Sequence, residues 1–300
     1  MSTSSVYPLS TEQAFRVAHE AGFDGIEIMV TGDPGTQSAD VLLALSRQYG
    51  LPILSIHAPV LLTTHFVWGR DPLVKLERSA ELARAAGAST VVVHPPFRWQ
   101  TTFAPLFLAA VRVTSMRWGI EVAVENMFDV KIGRRGLATY APGWDPSKMD
   151  CDAMTLDFSH ASLSGRDSLD LALAMGDHLR HVHLCDGSGA LGGEKMFDEH
   201  LVPGHGNEPV ASVLQLLARR GWSGSVVAEI NTRRTKTDAQ RLAMLTETVD
   251  FARRYLLVDA DSTTETAVET GTGADLAADP ALATSTAQVG SRSRLAVPAR

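Results

Sequence analysis

Nine residues able to ligate a metal ion follow one another along this chain at the carboxyl ends of short apolar runs: His57, His94, Glu125, Asp157, His160, His183, Asp198, His200 and Glu229. The runs before them are brief and rich in β-branched residues, as in PILSIH, STVVVHP, GIEVAVEN, AMTLDFSH, HVHLCD and SVVAEI. Imidazole and carboxylate are the donors that zinc and other divalent metals accept. A cation so held polarises carbonyl or phosphoryl oxygens, and a carboxylate beside it can move protons. The pattern points to metal-dependent chemistry, provided the fold brings these side chains to one place.

The nine differ in what each says alone. His57 in SIHAP and His94 in VVHPP read equally well as structural histidines at strand ends. Glu125 and Glu229 close the apolar runs VAVEN and VVAEI, where a buried carboxylate is costly unless it is paired or bound to a cation. Asp157 and His160 form a D-x-x-H unit on one strand exit, and Asp198 and His200 form a D-x-H unit in FDEHLVPGHG. Alternate residues of an extended segment point the same way, so the latter pair can share one ion. His181 also points inward by alternation with His183, but nearer the amino end of the strand, which makes His183 the better ligand. His205, in the P-G-H-G turn, is a candidate substrate contact. His19, His65 and His178 fall on expected helices or in a loop and carry no assignment.

The elements that must position these residues alternate from about residue 6 to 257. Strands are expected at 25–29, 52–57, 90–95, 120–126, 154–159, 181–185 and 225–230, and helical patterns near 11–21, 38–49, 72–86, 103–118, 167–176, 208–220 and 238–256. HEAGFDGIEI, RAAGASTVVV and RRGWSGSVVAEI share one helix–glycine–strand grammar, with glycine supplying the left-handed helix end. Such alternation predicts parallel strands with helices outside, a (β/α)8 barrel whose strand ends converge on one face. Seven strands are visible where a closed barrel needs eight. The first is expected to be truncated, leaving only its end in Met1–Val6.

Length and composition set the bounds. Three hundred residues with 45% hydrophobic content suffice for one barrel, expected over residues 1–258. From Asp259 onward Ser, Thr, Ala, Gly and acids replace aromatics and periodicity, so 259–300 is expected to be a disordered tail. The formal net charge of −7 disfavours non-specific attraction to polyanions. Two cysteines, Cys151 and Cys185, make no disulfide framework and fit a reducing compartment. No apolar run has the length of a membrane span and no signal pattern opens the chain, so a cytoplasmic location is expected.

Together the motifs SIHAP, VVHPP, VAVEN, TLDFSH, HVHLCDG, DEHLVPGHG and VVAEI resemble the xylose isomerase-like barrel superfamily, over residues 6 to 257. This superfamily includes sugar phosphate isomerases and epimerases and the endonuclease IV-type enzymes. The four-ligand core of the epimerase-like members matches Glu125, Asp157, His183 and Glu229. The nine-ligand pattern by which endonuclease IV holds three zinc ions matches the whole series. The D-x-H-x-x-P-G-x-G segment is shared with sequences of the isomerase type, so the match alone does not decide the reaction.

Two chemistries follow from the resemblance. As an isomerase or epimerase of a small sugar, polyol or sugar phosphate, the protein would hold one Mn²⁺- or Mg²⁺-like ion. Glu125 and Glu229 would then remove and return a proton through an enediolate, with His160 on a substrate hydroxyl. As a phosphoester hydrolase it would hold up to three zinc ions, engaging His57, His94, Asp198 and His200 as well. Nucleic acid is the disfavoured partner, because duplex binding needs a basic footprint. Only Lys131, Arg134 and Arg135, and Arg233, Arg234 and Lys236, cluster beyond strand ends. They would serve one sugar phosphate equally, and Arg233 is the expected substrate contact. The epimerase reading departs from the ketose epimerases in one respect: LCDGSGALGG, after His183, lacks their arginine. A third reading is a barrel that binds metal or ligand without turnover. The isomerase or epimerase is the first expectation.

Overall fold

The computed structural model describes residues 1–59, 64, 66–132, 135–137, 139–189 and 198–257. Met1–Asp259 forms one compact unit, and a second unit, Ala260–Arg300, lies outside the described residues together with the expected tail. Seven parallel strands carry the barrel: β1 (Ile26–Met29), β2 (Ile53–His57), β3 (Thr90–Val93), β4 (Glu121–Glu125), β7 (Met154–Asp157), β8 (Leu179–Leu184) and β9 (Ser225–Ala228). They are neighbours in that order. Between β4 and β7 the chain makes a small antiparallel pair, β5 (Val130–Ile132) and β6 (Arg135–Leu137), which the sequence pattern does not announce.

The helices are α1 (Thr11–Glu20), α2 (Ala39–Tyr49), α3 (Pro72–Ala86), α4 (Phe107–Trp118), α5 (Phe158–Ser164), α6 (Ser168–Met175), α7 (Val210–Arg219) and α8 (Asp238–Leu256). Asp71 caps α3 by accepting a hydrogen bond from Leu73 N, and Pro72 opens the helix, where its missing N–H costs nothing. Gly87 ends it at φ 79°, a conformation that the Cβ of other residues resists. The chain then enters β3 directly, as the shared grammar requires.

Alternation sorts every strand. Ile26, Ile28, Ile56, Val91, Val93, Val122, Val124, Leu156, Val182 and Leu184 are buried in the apolar layer under the helices. The intervening residues face the barrel interior, and toward the carboxyl ends these are His57, Glu125, Asp157 and His183. Beneath them lie Glu27, Ser55 and His181, all fully buried. The interior is thus polar at its upper end. Burial of carboxylates there is unfavourable by several kcal/mol per ion unless something compensates.

The seam between β1 and β9 is closed by the first residues of the chain. Ser2 makes an isolated parallel bridge to Glu27 and donates its N–H to Ala228 O at 2.8 Å. The expected strand remnant in Met1–Val6 therefore contributes one ladder position. Thr3–Val6 then turns as a 3-10 helix capped by the Ser2 side chain. Side chains continue the join: Ser5 Oγ donates to Ala228 O (3.1 Å) and accepts from Ile230 N (3.0 Å). Among the described residues no helix is long and apolar enough to cross a membrane.

Candidate metal centre

The deepest group is a tetrad from four strand ends. Glu125 and Asp157 are the last residues of β4 and β7, His183 is next to last in β8, and Glu229 follows β9. One donor atom from each lies within 4.8 Å of the others. His183 Nδ1 is 2.8 Å from Glu229 Oε2, 3.1 Å from Glu125 Oε1 and 3.7 Å from Asp157 Oδ2. Three buried carboxylates around one imidazole are not balanced by that ring alone.

Glu125 faces two further histidines. Its Oε2 lies 3.3 Å from His57 Nε2 and 3.0 Å from His94 Nε2. Yet this buried oxygen has no hydrogen-bond partner among the described residues. His57 and Glu125 also meet His183, with one donor atom of each within 4.8 Å of the others, a spacing that suits a shared cation. His160, Asp198 and His200 make the third group: Asp198 Oδ2 is 3.1 Å from His160 Nε2 and 3.0 Å from His200 Nε2. The structure thus brings all nine predicted residues to one face. The donor set, imidazole and carboxylate with no thiolate, fits a divalent metal.

The tautomers agree with that fit. His57 Nδ1 donates to Ala58 O (3.0 Å), His160 Nδ1 to Asn126 O (2.9 Å) and His200 Nδ1 to Glu229 O (2.6 Å). A carbonyl only accepts, so each ring carries its proton on Nδ1 and turns Nε2 toward the cluster, the usual fixing of a ligating histidine from behind. His183 is held in the opposite sense. Its Nε2 faces Glu27, 3.2 Å from Oε1, and its Nδ1 enters the tetrad.

Without a cation the charges are balanced by protons. Burial would lower the basicity of His183 and His160, but Glu229, Glu125 and Glu27 around the first, and Asp157 and Asp198 around the second, hold both well above the ordinary histidine range. His200 is likewise opposed by burial and raised by Asp198 and Asp157, to about 10. Burial pushes the Glu229 carboxyl up, and His183 more than offsets this, bringing it down to about 2. Burial dominates at Asp157 and raises it.

Several residues that position the site have no ligand-like signature in the sequence. Asn126 clamps β4 to β7 by accepting from Asp157 N (2.7 Å) and donating to Asp157 O (3.0 Å). Asp157 Oδ1 accepts from His160 N at 2.8 Å and so caps α5, which places His160 in the first turn of a helix and corrects the expected extension of the strand to residue 159. Ser159 Oγ donates to Asp198 Oδ1 (2.7 Å), and Ser4 Oγ to Glu229 Oε1 (2.7 Å). Glu27 also accepts from Ser55 Oγ (2.7 Å) and sits 3.1 Å from His181 Nε2. The signal for Glu27 was available: an acid flanked by isoleucines at an inward position of GIEI.

The mouth beside the tetrad is a cavity of about 260 Å³, lined by the ligand-like side chains other than Asp157 and His183 and by Ser4, Met29, Ile230, Asn231 and Arg233. Arg233 lines this mouth and lies over the Tyr7 ring, 4.6 Å from its centroid. His205 does not. It is exposed and pairs with Glu247 (2.8 Å), because Asp186 ties down the turn by accepting from Gly204 N (2.8 Å) and Glu208 N (3.1 Å). Gly206 packs so closely on Asp186 that a Cβ there would stand 2.2 Å from Oδ1, and the imidazole is left facing outward. Arg134 and the side chains of Lys131 and Arg135 lie outside the described residues, as do residues 190–197 of the loop after β8.

A family model for the xylose isomerase-like TIM barrel matches residues 15–255. The chain belongs to this family. The uncharacterized protein Rv0498 of Mycobacterium tuberculosis is 44% identical over 276 residues, covering 86% of this chain and 97% of that protein. Among solved structures of the family's fold, a D-tagatose 3-epimerase-like protein is similar with a TM-score of 0.60 and 22% identity, over 86% of this chain and 98% of that one. The IOLI protein with a binding zinc atom has a TM-score of 0.63 at 17% identity, over 84% and 96%.

Proposed function

We propose that the protein is a divalent-metal-dependent isomerase or epimerase of a small sugar, polyol or sugar phosphate. The observation that carries this reading is the tetrad Glu125, Asp157, His183 and Glu229, of which Glu125 and Glu229 line a cavity of about 260 Å³, sized for one small polar substrate. A divalent ion held by the four would polarise a substrate carbonyl and its neighbouring hydroxyl. Glu125 and Glu229, from strands separated by β7 and β8, have the placement to take a proton from carbon and return it, with an enediolate between the two steps. Ser4 holds the Glu229 carboxylate in place, and His160 and Arg233 bind substrate hydroxyls or a phosphate. The likeness to a D-tagatose 3-epimerase-like protein supports this choice at the level of fold.

One observation favours a second reading, a zinc-dependent phosphoester hydrolase of the endonuclease IV type. His57 and His94 crowd Glu125 Oε2, and His160, Asp198 and His200 form their own group, so donors are present for more than one ion. Two measurements separate the readings. Ketoses and ketose phosphates incubated in D₂O should gain deuterium at the carbon beside the carbonyl, and elemental analysis should give one exchangeable Mn²⁺ or Mg²⁺ per chain. Three tightly held zinc ions with cleavage of a phosphodiester and no deuterium uptake would overturn the isomerase assignment.

A further inference from the structure

His94 borders two cavities. One is the polar mouth already described. The other is a mostly apolar chamber of about 310 Å³ that also has His94 in its lining, walled by Leu76, Val93, Pro96, Phe103 and Phe107 together with the cationic side chains of Arg70 and Lys75. That volume lies at the lower end of the range that binds small molecules, and an apolar chamber beside convergent polar groups is the usual form of a ligand site. The isomerase chemistry has no use for it, because a bare sugar offers little apolar surface.

A built aromatic stack borders the chamber, with Phe97 and Trp99 in its lining. Phe97 stacks on Trp99 with centroids 4.2 Å apart and planes within 8°, and on Tyr140 at 5.2 Å. Phe97 and Tyr140 also pair through an antiparallel bridge, with Arg98 N donating to Thr139 O and Ala141 N to Pro96 O, both at 2.9 Å. Main-chain bonds therefore hold the stack rigid. Its inner end is Tyr140, which is partly buried. Its outer end is Trp99, which lines the chamber while 63% of its surface stays exposed. One face of that indole is covered by Phe97, which leaves the other for a flat guest.

We propose that the substrate is an aryl-bearing sugar or polyol, with its hydroxylated end in the mouth at Glu125 and Glu229 and its aromatic group in the chamber against Trp99. This rests on the isomerase reading only for the polar end. The chamber, the stack and the shared His94 specify an amphipathic molecule spanning both cavities.

Calorimetry with 4-nitrophenol, and with a panel of 4-nitrophenyl and methyl glycosides, tests the proposal on the metal-loaded protein. At least one nitrophenyl glycoside should bind about tenfold tighter than its methyl counterpart, as expected for burial of one aromatic ring, and tighter than nitrophenol itself. Trp99→Ala, at an exposed position, and Thr102→Tyr, which fills the chamber from its rim, should each remove that advantage. Chelation should weaken the glycosides and leave nitrophenol unchanged. Equal binding of nitrophenyl and methyl glycosides, absence of binding by any nitrophenyl compound, or an advantage that survives both variants would overturn the bipartite site. Failure of the isomerase reading would show separately, as tight aryl glycoside binding by a protein that gives no deuterium uptake into free ketoses or ketose phosphates.

Discussion

The deep tetrad and the outer group of His160, Asp198 and His200 present the same donor types in two different settings. Glu125, Asp157 and His183 belong to strands, are buried, and are fixed by the ladder and by the Asn126 clamp. Asp198 and His200 come from a loop, Asp198 is 36% exposed, and His200 holds a left-handed backbone at φ 45° that few side chains adopt. His160 bridges the two, with Nδ1 toward Asn126 and Nε2 toward Asp198. A strand-borne ligand set is built in with the fold, whereas a loop-borne one must be held by specific contacts. On the proposed reading, the chemistry that both mechanisms need belongs to the first, and what distinguishes the two belongs to the second.

Breaking the deep group should have the largest effect. Glu125→Gln removes the carboxylate shared by His57, His94 and His183, and should lower turnover by about a thousandfold, with elemental analysis showing loss of the bound ion. Replacing Asp198 and His200 together by alanine should leave the tetrad ion in place and lower isomerase turnover by about tenfold, the scale of a supporting contact. Loss of all metal in that double variant would show that the two groups act as one.

Glu27→Gln tests the layer beneath. With the Glu27 carboxylate replaced, His183 loses the partner that turns Nδ1 into the tetrad, and metal affinity measured against a competing chelator should fall by about 10- to 100-fold. Unchanged affinity would reduce Glu27 to a packing element.

The smallest effect concerns the metal-free protein and pH. Glu229 is depressed from 4.5 to about 2, so its contribution to stability is complete above pH 4.5 and lost as pH falls through 2. His200 is raised from 6.5 to about 10, so its contribution is complete below pH 6.5 and lost as pH rises through 10. The thermal midpoint in chelator should therefore be highest between pH 4.5 and 6.5. Metal affinity should run the other way and rise with pH, because the ion must displace the protons on His160, His183 and His200. A midpoint that climbs steadily above pH 7 would contradict the assigned charge balance.

The barrel was legible in the sequence because its signals are local. Seven apolar runs, six of them closed by an acid or histidine, appear within two residues of their expected places. The deep tetrad was legible for the same reason, since period-two alternation fixes which residue of each run faces inward. What escaped depended on partners far away in the chain. Ser4 becomes part of the site only because the first residues close the seam beside Glu229, 225 positions later. Asn126 looked like a strand terminus until its amide met Asp157 on the next barrel strand. α5 was hidden because its cap is also a ligand-like residue, and His205 misled because Asp186, which turns it outward, acts through backbone amides.

The closure between β1 and β9 has a consequence for motion. Elsewhere neighbouring barrel strands share a run of ladder bonds, but here one residue, Ser2, bridges the two, helped by the Ser5 hydroxyl. Local opening follows the weakest set of backbone bonds. The amides of Glu27 and Ile230 should therefore exchange with deuterated solvent sooner than those of Val124 or Val182. Exchange in that order would mean that the barrel breathes along this line, which passes directly beside Glu229.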